Sequence, residues 1–410
     1  MERPRSPLIP VDEARQRIAA AMRPVGIETV PLDQALGRVL AEDVTARVSQ
    51  PPVAVSAMDG YAVRGADVQS VPTTLRRVGE APAGGSHPGT VKAGEAVRIF
   101  TGGPVPAGTD TVVLQENTEA IGDQVVVHQV TALGRHVRAA GLDFENGQTL
   151  LRTGRRLSAR DVGLAAAMNV PSLRVRKRPR VAVLSTGSEL VSAGGAVGPA
   201  RIVDANGPAL AAVLRSFGAE PVSLGIARDD VATLQDAAAH ARGTDLFLTL
   251  GGASVGEHDL IQKALGLQGL AVDFWKVAIR PGKPLMFGRL GELPVLGLPG
   301  NPVSALVCAL LFVGAAVDGL LGRPLAEPTI TATLGRDLEA NDTRQDYMRS
   351  ELVRGADGTL IATPLARQDS SMLASLAASG CLVVRAPFAP ALKAGALVPI
   401  IPFGVGPEGY

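Results

Sequence analysis

A short glycine-rich segment in the middle of the chain combines residue types that can bind a phosphate and a metal. Leu246–Leu250 is an apolar run without helical periodicity, which is typical of a buried parallel strand. Gly251, Gly252 and Ser254 follow it, and Asp259 opens a helical pattern. A strand, a glycine loop and a helix start present backbone N–H groups to an anion, and a nearby carboxylate can hold Mg²⁺. A tight turn with an acidic helix cap explains the same residues equally well.

Similar polar residues follow other predicted strands. Glu189, Asp229, Arg280, Lys283 and Asn301 come after apolar runs, as Ser254 and Asp259 do. Ligands of a doubly wound sheet bind at the carboxyl ends of its strands, so these residues are predicted to share one edge. Three carboxylates and two or three cations there indicate a nucleotide site with Mg²⁺, the metal ligands being Glu189, Asp229 and Asp259. Helix caps and surface ion pairs are the alternative, which we prefer for Asp229 taken alone.

Several other site classes are excluded by missing motifs. The sequence has no Gly-x-x-x-x-Gly-Lys-Ser/Thr loop, no His-Glu-x-x-His and no Cys/His cluster, which argues against a P-loop enzyme and a structural zinc site. The two cysteines, Cys308 and Cys381, lie in apolar surroundings and are predicted to be buried thiols.

The elements that must position these residues alternate between strand and helix over residues 179–325. This pattern predicts a doubly wound, parallel α/β domain with helices on both faces of the sheet. Asn206 and Asn301 are predicted helix N-caps. The apolar run Val303–Val317 is shorter than the roughly 20 residues of a membrane span, so a buried core helix is predicted.

The remaining segments have the pattern of short strands. Residues 51–140 predict an inserted β domain, and residues 326–410 predict a C-terminal β domain of barrel or sandwich type. The flanks of the insert, 1–50 and 141–178, are predicted to form one discontinuous helical domain that includes a helix over Leu32–Leu40. The expected fold class is therefore multidomain α/β plus all-β parts.

Composition limits the class of protein. The 410 residues exceed one core, and 46% hydrophobic against 19% charged residues predicts a globular protein. The formal net charge of +1 argues against a nucleic-acid surface built on bulk charge. The polar, proline-containing start lacks the pattern of a signal peptide, so a cytoplasmic location without membrane partners is expected.

Six motifs taken together resemble one known family. Four lie in the predicted α/β domain: Ser185-Thr-Gly-Ser-Glu-Leu190, Gly251-Gly-Ala-Ser-Val-Gly256, Pro281-Gly-Lys-Pro284 and Leu298-Pro-Gly-Asn-Pro-Val-Ser304. Two precede it: Ser56-Ala-Met-Asp-Gly-Tyr-Ala62 and Phe100-Thr-Gly-Gly-Pro-Val-Pro106. The chain resembles the MoeA family of molybdopterin molybdenumtransferases, and the E domain of gephyrin, over nearly its whole length.

The resemblance implies both an architecture and a reaction. It implies an elongated homodimer of four-part subunits, in which the site forms between the α/β domain of one subunit and the N-terminal β region of the other. Adenylylated molybdopterin and molybdate would be the small-molecule substrates, molybdenum cofactor and AMP the products, and Mg²⁺ the required metal. The molybdopterin adenylyltransferase is the protein partner that such an enzyme would meet.

The resemblance also implies residue roles. Catalytic roles fall on Asp259, Glu189, Lys276 and Lys283. Substrate and phosphate binding fall on Thr186, Gly187, Asp229, Gly251, Gly252, Ser254, Arg280, Asn301 and Ser304. The partner subunit would contribute Asp59 and Thr101, and Arg349 with Ser370 would bind molybdate. The sequence departs from the family pattern where Arg280 replaces a frequent Lys and where Asp369 replaces a Gly, which adds a negative charge that opposes an oxyanion.

Two other functions compete with this interpretation. Nucleotide-hydrolysing enzymes of the competence-damage type share the α/β domain, but the Met-Asp-Gly-Tyr-Ala segment and the inserted β domain disfavour them. A scaffold of the gephyrin type would require an additional partner-binding surface or domain. The enzyme is therefore the preferred interpretation, and the release of AMP is the observation that discriminates it.

Overall fold

The computed structural model describes residues 8–251, 258–325 and 329–404. At its centre lies a six-stranded sheet. Its strands, in spatial order, are Glu220–Ala227, Arg180–Thr186, Leu246–Leu250, Leu293–Leu298, Met286–Leu290 and Leu270–Trp275. The first four are parallel, as predicted. Met286–Leu290 is antiparallel to both of its neighbours, so Leu270–Trp275 again runs in the direction of the first four.

The reversed strand Met286–Leu290 corrects the prediction of a parallel sheet. Only Gly291 and Glu292 separate the strands Met286–Leu290 and Leu293–Leu298. A connection of two residues cannot make the crossover that a parallel pair needs, so the chain turns back as a hairpin. Gly291 has a φ of 63°, which suits such a tight turn.

Helices cover both faces of this sheet, as predicted. Leu246, Leu248 and Leu250 face a core shared with the helices Asn206–Phe217 and Pro302–Leu320. Phe247 faces a second core that contains residues of the helices Val231–His240 and His258–Gly266. Because the side chains of a strand alternate between the two faces, one apolar strand serves both cores.

The helix Pro302–Leu320 includes one wider, π-type turn at Ala309–Val313. By length and composition, it is the single helix in the described ranges that could cross a membrane. Of its most apolar stretch of 18 residues, 72% is buried inside the protein. The prediction of a buried core helix is confirmed. The N-terminal helix Val11–Ala21 packs against its last turns, with Ala14 and Ile18 fully buried.

The inserted β region forms a six-stranded sheet. In spatial order its strands are Thr111–Leu114, Gly60–Val63, Glu95–Ile99, Thr73–Ala81, Gln124–Val127 and Thr118–Ile121. Short 3₁₀ turns occupy Gly65–Val68 and Gln115–Asn117, and Val55–Ser56 pairs with Val137–Arg138.

The flanks of the insert pair with each other. Ile27–Pro31 is antiparallel to Ser172–Arg176, and Val44–Thr45 is paired with Thr149–Leu151. The helix Ala159–Ala167 begins at a capping box formed by Ser158 and Asp161. These contacts are what one discontinuous domain requires, although the domain boundaries themselves remain a prediction.

The helix predicted over Leu32–Leu40 is wrong. The helical part of this segment is limited to a single 3₁₀ turn at Leu32–Gln34. Val39 makes a β-bridge to Arg156, and Leu40 makes one to Val175. Gly37 has a φ of 72°, which ends any helix there. The tertiary pairing therefore overrides the local apolar pattern.

The C-terminal region is a closed β-barrel. Its strands are Ile330–Leu334, Gln345–Arg354, Leu360–Pro364, Cys381–Arg385 and Leu397–Pro402. Gln345–Arg354 pairs with both Leu360–Pro364 and Cys381–Arg385, and this double pairing closes the ring. A short strand, Ile279–Arg280, extends from the α/β domain onto this barrel, and the helix Leu373–Ala377 connects two of its strands. The predicted barrel-like C-terminal domain is confirmed.

The contact between the first helix and the long apolar helix generates a prediction. A Cβ at Gly319 would lie 2.8 Å from the Ala19 carbonyl oxygen and 2.8 Å from the Met22 Cβ. Gly319→Ala is therefore expected to destabilise the protein by about 1–3 kcal/mol, because the packed helices must separate. Denaturant unfolding followed by circular dichroism measures the change.

Gly163 provides the matched control. It also lies inside a helix, but a Cβ there would meet nothing within 4 Å. Gly163→Ala is expected to stabilise by about 0.5–1 kcal/mol through helix propensity alone. Equal effects of the two substitutions would contradict the packing explanation.

Candidate functional site

The carboxyl ends of the parallel strands form one wall of a cavity of about 920 Å³. Segments from both the α/β domain and the barrel line it. The lining contains these predicted site residues: Thr186, Gly187, Glu189, Asp229, Gly251, Arg280, Lys283, Asn301, Ser304 and Ser370. The structure thus brings together residues that are up to 184 positions apart, from Thr186 to Ser370.

Gly251 packs three loop backbones against one another at the floor of the cavity. Its φ is +96°, and a Cβ there would lie 2.6 Å from the Thr186 carbonyl oxygen. Its N–H donates to the Leu298 carbonyl at 3.2 Å. A side chain at Gly251 would therefore push the loop after Arg180–Thr186 away from the loop after Leu246–Leu250.

Asp229 stabilises the turn that follows the strand Arg180–Thr186. Its carboxylate accepts the Ser188 N–H at 2.9 Å, and its own N–H donates to the Ser188 hydroxyl at 3.2 Å. The Glu189 side chain folds back over this turn. Its carboxylate oxygens come so close to Gly187 that a Cβ there would lie 2.8 Å from them. Both carboxylates line the cavity. The helix cap that was the alternative role for Asp229 belongs instead to Asp230, which accepts the Thr233 N–H at 2.8 Å.

Sequence reasoning missed Asp204 as a cavity residue. Its carboxylate accepts the Ser185 hydroxyl at 2.6 Å and the Gly207 N–H at 3.0 Å. Asp204 therefore performs the capping that was predicted for Asn206, whose side chain instead donates to the Gly300 carbonyl at 2.7 Å. The signal was present, since an aspartate three residues before an orphan helix N–H is a common cap.

Three of the described lining residues are cations, and two of these are already paired. Arg280 contacts Asp342 and Asp346, and Arg344 contacts Asp342. Lys283 is exposed, and no carboxylate of a described residue lies within ion-pair distance of it. Among the described lining residues, Lys283 is therefore the cation whose charge is left to pair with a bound anion.

The barrel contributes the loop Gln368–Ser371 to the opposite wall. Asn301 does not cap its helix with its side chain, which donates to the Ser370 hydroxyl at 2.8 Å. The Val303 N–H donates to the Ser370 carbonyl at 3.0 Å. Two hydrogen bonds therefore tie this loop to the start of the long helix.

Asp369 brings a negative charge to the same wall. Its carboxylate accepts the Ser371 hydroxyl at 2.7 Å and the Ser371 N–H at 2.8 Å. These hydrogen bonds lower the pKa of Asp369, so the group is ionised at neutral pH. Asp204 and Asp369 join Glu189 and Asp229, so that four carboxylates line the described part of the cavity.

Arg349 lies behind this loop and not in the cavity lining. It is 1% exposed, and its guanidinium donates to the carbonyls of Arg367 and Met372 at 3.2 Å each. Burial lowers the pKa of Arg349. In this structure, the side chain supports the loop that carries Ser370.

Lys276 is also outside the cavity lining. Its ammonium stands 4.2 Å above the centroid of the Trp275 ring, a cation–π contact that keeps it at the edge of the sheet. Its φ of 78° is unusual for lysine and marks the end of the strand Leu270–Trp275.

Asp59 and Thr101 form a separate cluster in the inserted β region. The Asp59 carboxylate accepts the N–H and the hydroxyl of Thr101 at 2.7 and 2.8 Å, and these bonds lower the pKa of Asp59. The guanidinium of Arg98 stacks beside them between the rings of Tyr61 and Phe100, at 5.1 and 5.0 Å. Neither Asp59 nor Thr101 lines the cavity formed within one chain.

Part of the predicted site lies outside the described residues. Gly252 and Ser254 fall between residues 251 and 258, and the side chain of Asp259 is likewise not described, although its backbone belongs to the helix His258–Gly266. Within the described ranges, no group of three or more His, Cys, Asp or Glu side chains is arranged to hold a metal.

Three family models match consecutive parts of the chain. Residues 9–169 match the MoeA N-terminal region (domain I and II), residues 182–318 a probable molybdopterin binding domain, and residues 331–403 the MoeA C-terminal region (domain IV).

Individual relatives agree with these matches. The chain is 38% identical over 365 residues to molybdopterin molybdenumtransferase 2 of Mycobacterium tuberculosis, covering 86% of this chain and 89% of the relative. It is 32% identical over 401 residues to the molybdopterin molybdenumtransferase of Haemophilus influenzae, covering 97% and 99%. The crystal structure of the molybdopterin biosynthesis MoeA protein of Pyrococcus horikoshii superposes with a TM-score of 0.84 at 28% identity, covering 97% of this chain and 100% of that one.

The support that Arg349 gives to the cavity wall generates a prediction. Arg349→Met keeps an unbranched apolar stem but removes the hydrogen bonds to the Arg367 and Met372 carbonyls. Because the loop then loses its anchor, amide hydrogen exchange over residues 367–373 is expected to accelerate about tenfold or more, corresponding to the loss of hydrogen bonds from a charged donor.

Arg354 gives the matched control. It lies on the same strand, is exposed and donates only to the nearby Gly358 carbonyl. Arg354→Met is expected to leave exchange over residues 367–373 unchanged. Unchanged exchange in Arg349→Met would show that the loop does not depend on the buried guanidinium.

Proposed function

This chain belongs to the MoeA family of molybdopterin molybdenumtransferases, and from that premise we propose that it inserts molybdenum from molybdate into adenylylated molybdopterin, yielding molybdenum cofactor and AMP. Its relatives carry the name of a transferase that acts on molybdopterin. The adenylylated form of the substrate, the AMP product and the magnesium requirement are the finer parts of the proposal.

One observation carries the proposal. The cavity of about 920 Å³ is lined by four separate motifs at the carboxyl edge of the sheet, together with a loop of the barrel. Its size suits a ligand with a ring system and several phosphate or oxyanion groups. Ligands of open α/β sheets bind at this edge, which supports the same location.

The residues of the lining divide into anion-binding and metal-facing groups. Lys283 offers an ammonium that no described carboxylate neutralises, and we assign it to an oxyanion, either molybdate or a phosphate. Thr186, Gly187 and Ser304 line the floor and would contact the nucleotide or the pterin. Glu189 and Asp229 line the cavity from the loops that follow the strands Arg180–Thr186 and Glu220–Ala227.

The donor set fits a magnesium ion that is shared with the substrate. Mg²⁺ in phosphate-transfer sites usually takes one or two carboxylates and completes its shell with phosphate oxygens and water. Glu189 and Asp229 offer carboxylates at one cavity wall, and Asp259 would add a third from the start of the adjacent helix. When bound, the ion would neutralise charge on the phosphoanhydride.

The chain's own residues would act mainly through positioning. Cleavage of the phosphoanhydride requires an oxygen nucleophile placed in line with the bond between the adenylyl phosphorus and the bridging oxygen, which leaves with the pterin phosphate. Holding both reactants in one cavity supplies much of the rate enhancement of such a step. The Gly251 contact and the Asn301–Ser370 bond would preserve that geometry.

We also propose that the site is completed by a second subunit. The Asp59 and Thr101 cluster is exposed and its hydrogen bonds are already formed, yet it is absent from the described lining of the cavity. Such a preformed carboxylate suits a ligand bound to the partner subunit. We propose the enzyme that adenylylates molybdopterin as the source of the substrate. The proposed location of the reaction is the cytoplasm.

The direct test is product formation. Purified protein incubated with adenylylated molybdopterin, molybdate and Mg²⁺ is expected to release AMP in proportion to the molybdenum cofactor formed. Without molybdate or Mg²⁺, release should fall strongly. Failure to release AMP under all conditions would overturn the proposed reaction.

Removing Lys283, for which no described residue provides an ion pair, gives a sharper prediction. Lys283→Ala is expected to weaken binding of molybdate or AMP about tenfold or more, because a charge-assisted contact is worth roughly 1.5–3 kcal/mol. Since Lys283 is exposed and makes no described ion pair, the melting temperature without ligand should stay nearly unchanged.

Isothermal calorimetry with each ligand measures this effect. Lys393→Ala serves as control, because that exposed lysine pairs with Asp337 on the barrel and does not line the cavity. Unchanged affinity for both ligands in Lys283→Ala would place the oxyanion elsewhere.

A shared site predicts rescue between inactive variants. Asp59→Ala and Glu189→Ala are each expected to lose most AMP release. Mixed and exchanged subunits should recover part of the activity, because a heterodimer carries one site that lacks both substitutions. Verified subunit exchange without any recovery, or a monomer by sedimentation, would contradict the shared site.

A further inference from the structure

The side chain of Arg280 joins the α/β domain to the barrel. The strand Ile279–Arg280 pairs in parallel with Gln345–Asp346, so that Arg280 lies directly opposite Asp346. Its guanidinium donates to the Asp346 carboxylate, to the Asn341 side-chain oxygen at 3.1 Å and to the Asp342 carboxylate at 3.1 Å. A single side chain therefore contacts three acceptors of one barrel segment.

The charge of Arg280 is neutralised by this segment. Asp346 is 8% exposed, and a buried carboxylate that loses its partner is strongly unfavourable. Asp342 also accepts from the Arg344 side chain at 3.1 Å, and Arg385 lies opposite Asp346 on the neighbouring barrel strand, so two carboxylates and three arginines form one cluster at the rim of the cavity. Three of the five N–H groups of the guanidinium are engaged in this way, so a bound oxyanion would compete with the two carboxylates for the same positive charge.

Asn341 extends the contact of Arg280 further into the barrel. The side-chain nitrogen of Asn341 donates to the carbonyls of Arg344, Arg385 and Ala386, at 2.8, 3.2 and 2.8 Å. The last two lie at the end of the barrel strand Cys381–Arg385. Arg280 thus reaches, through one amide, the turn that closes this end of the barrel.

On the other side, Arg280 leads into the loop that carries Lys283. Pro281, Gly282 and Pro284 belong to the cavity lining, and Gly282 packs so tightly that a Cβ there would lie 2.4 Å from the Cys308 sulfur. The Lys283 carbonyl accepts the N–H groups of Val277 and Leu285, both at 3.1 Å. Movement of Arg280 relative to the barrel would therefore move the ammonium of Lys283 relative to the Ser370 loop.

We propose that Arg280 is a positioning residue that clamps the barrel segment 341–346 against the loop carrying Lys283, and that it does not bind the oxyanion itself. The inference rests on the proposed function in taking molybdate or AMP as the ligand of that loop. The planar fork of an arginine holds acceptors that are spread along a segment in a fixed geometry, which the rotatable donors of an ammonium do not provide.

Four variants test the clamp by calorimetry with molybdate and with AMP. Arg280→Met and Asp346→Asn are each expected to weaken binding about tenfold, and the double variant should bind no more weakly than the weaker single variant. Two residues that act through one contact show such non-additivity. Arg280→Lys should lose less than Arg280→Met, because it retains one charged donor.

The two main alternatives predict different results. If Arg280 binds the oxyanion, Asp346→Asn frees its guanidinium and should bind as tightly as wild type or more tightly, while Arg280→Met alone loses affinity. If the contact serves stability only, both substitutions should lower the melting temperature and leave the affinity of the folded protein unchanged. Either result would overturn the clamp.

A ligand-free measurement separates the clamp from the proposed reaction. Amide hydrogen exchange over residues 341–346 is expected to accelerate in both Arg280→Met and Asp346→Asn, and to remain unchanged in Asp337→Asn, which breaks the exposed pair with Lys393 on the same barrel. Wild-type protein that binds neither ligand would refute the proposed function. Unchanged exchange in both clamp variants would refute the clamp, whichever ligand the cavity takes.

Discussion

The candidate site depends on the close approach of three backbones at the carboxyl edge of the central sheet. Gly251 makes this approach possible, because any side chain there would collide with the Thr186 carbonyl. The loops after Arg180–Thr186, Leu246–Leu250 and Leu293–Leu298 consequently share one floor. The strand Leu246–Leu250 is buried on both faces, so its end cannot shift without disturbing two cores. The positions of Glu189 and Asn301 follow from that rigidity.

The barrel completes what the sheet begins. Asn301 and Val303 bind the Ser370 loop from the start of the long helix, and Arg280 binds the segment around Asp346. Contacts on two sides of the cavity therefore determine where the barrel lies. A wall contributed by a second domain is common in ligand sites, because relative movement of two rigid bodies can open and close the cavity without unfolding either.

The sequence predicted the central elements well and their long-range contacts poorly. Leu246–Leu250 was predicted with its observed bounds, because a five-residue apolar run flanked by Thr-Asp and Gly-Gly leaves little choice. Motif matching placed Lys283 and Glu189 at the cavity, since the carboxyl ends of parallel strands meet. Leu32–Leu40 was wrong because β-bridges to residues more than 100 positions away outweigh a weak helical pattern. The partners of Arg280 lie 61 to 66 positions away, so no local signal could have shown that its charge is neutralised.

The resulting balance of charge has a consequence for how anions enter. Four carboxylates line the described part of the cavity, whereas Arg280 and Arg344 are occupied by Asp342 and Asp346. Only the ammonium of Lys283 is left, among the described lining residues, to attract an anion. In a partly enclosed site with reduced dielectric screening, such a surplus of negative charge opposes molybdate and phosphate. Under the proposed function, binding of the anionic substrate would require a cation that enters with it, and Mg²⁺ carried on the phosphates would meet that requirement.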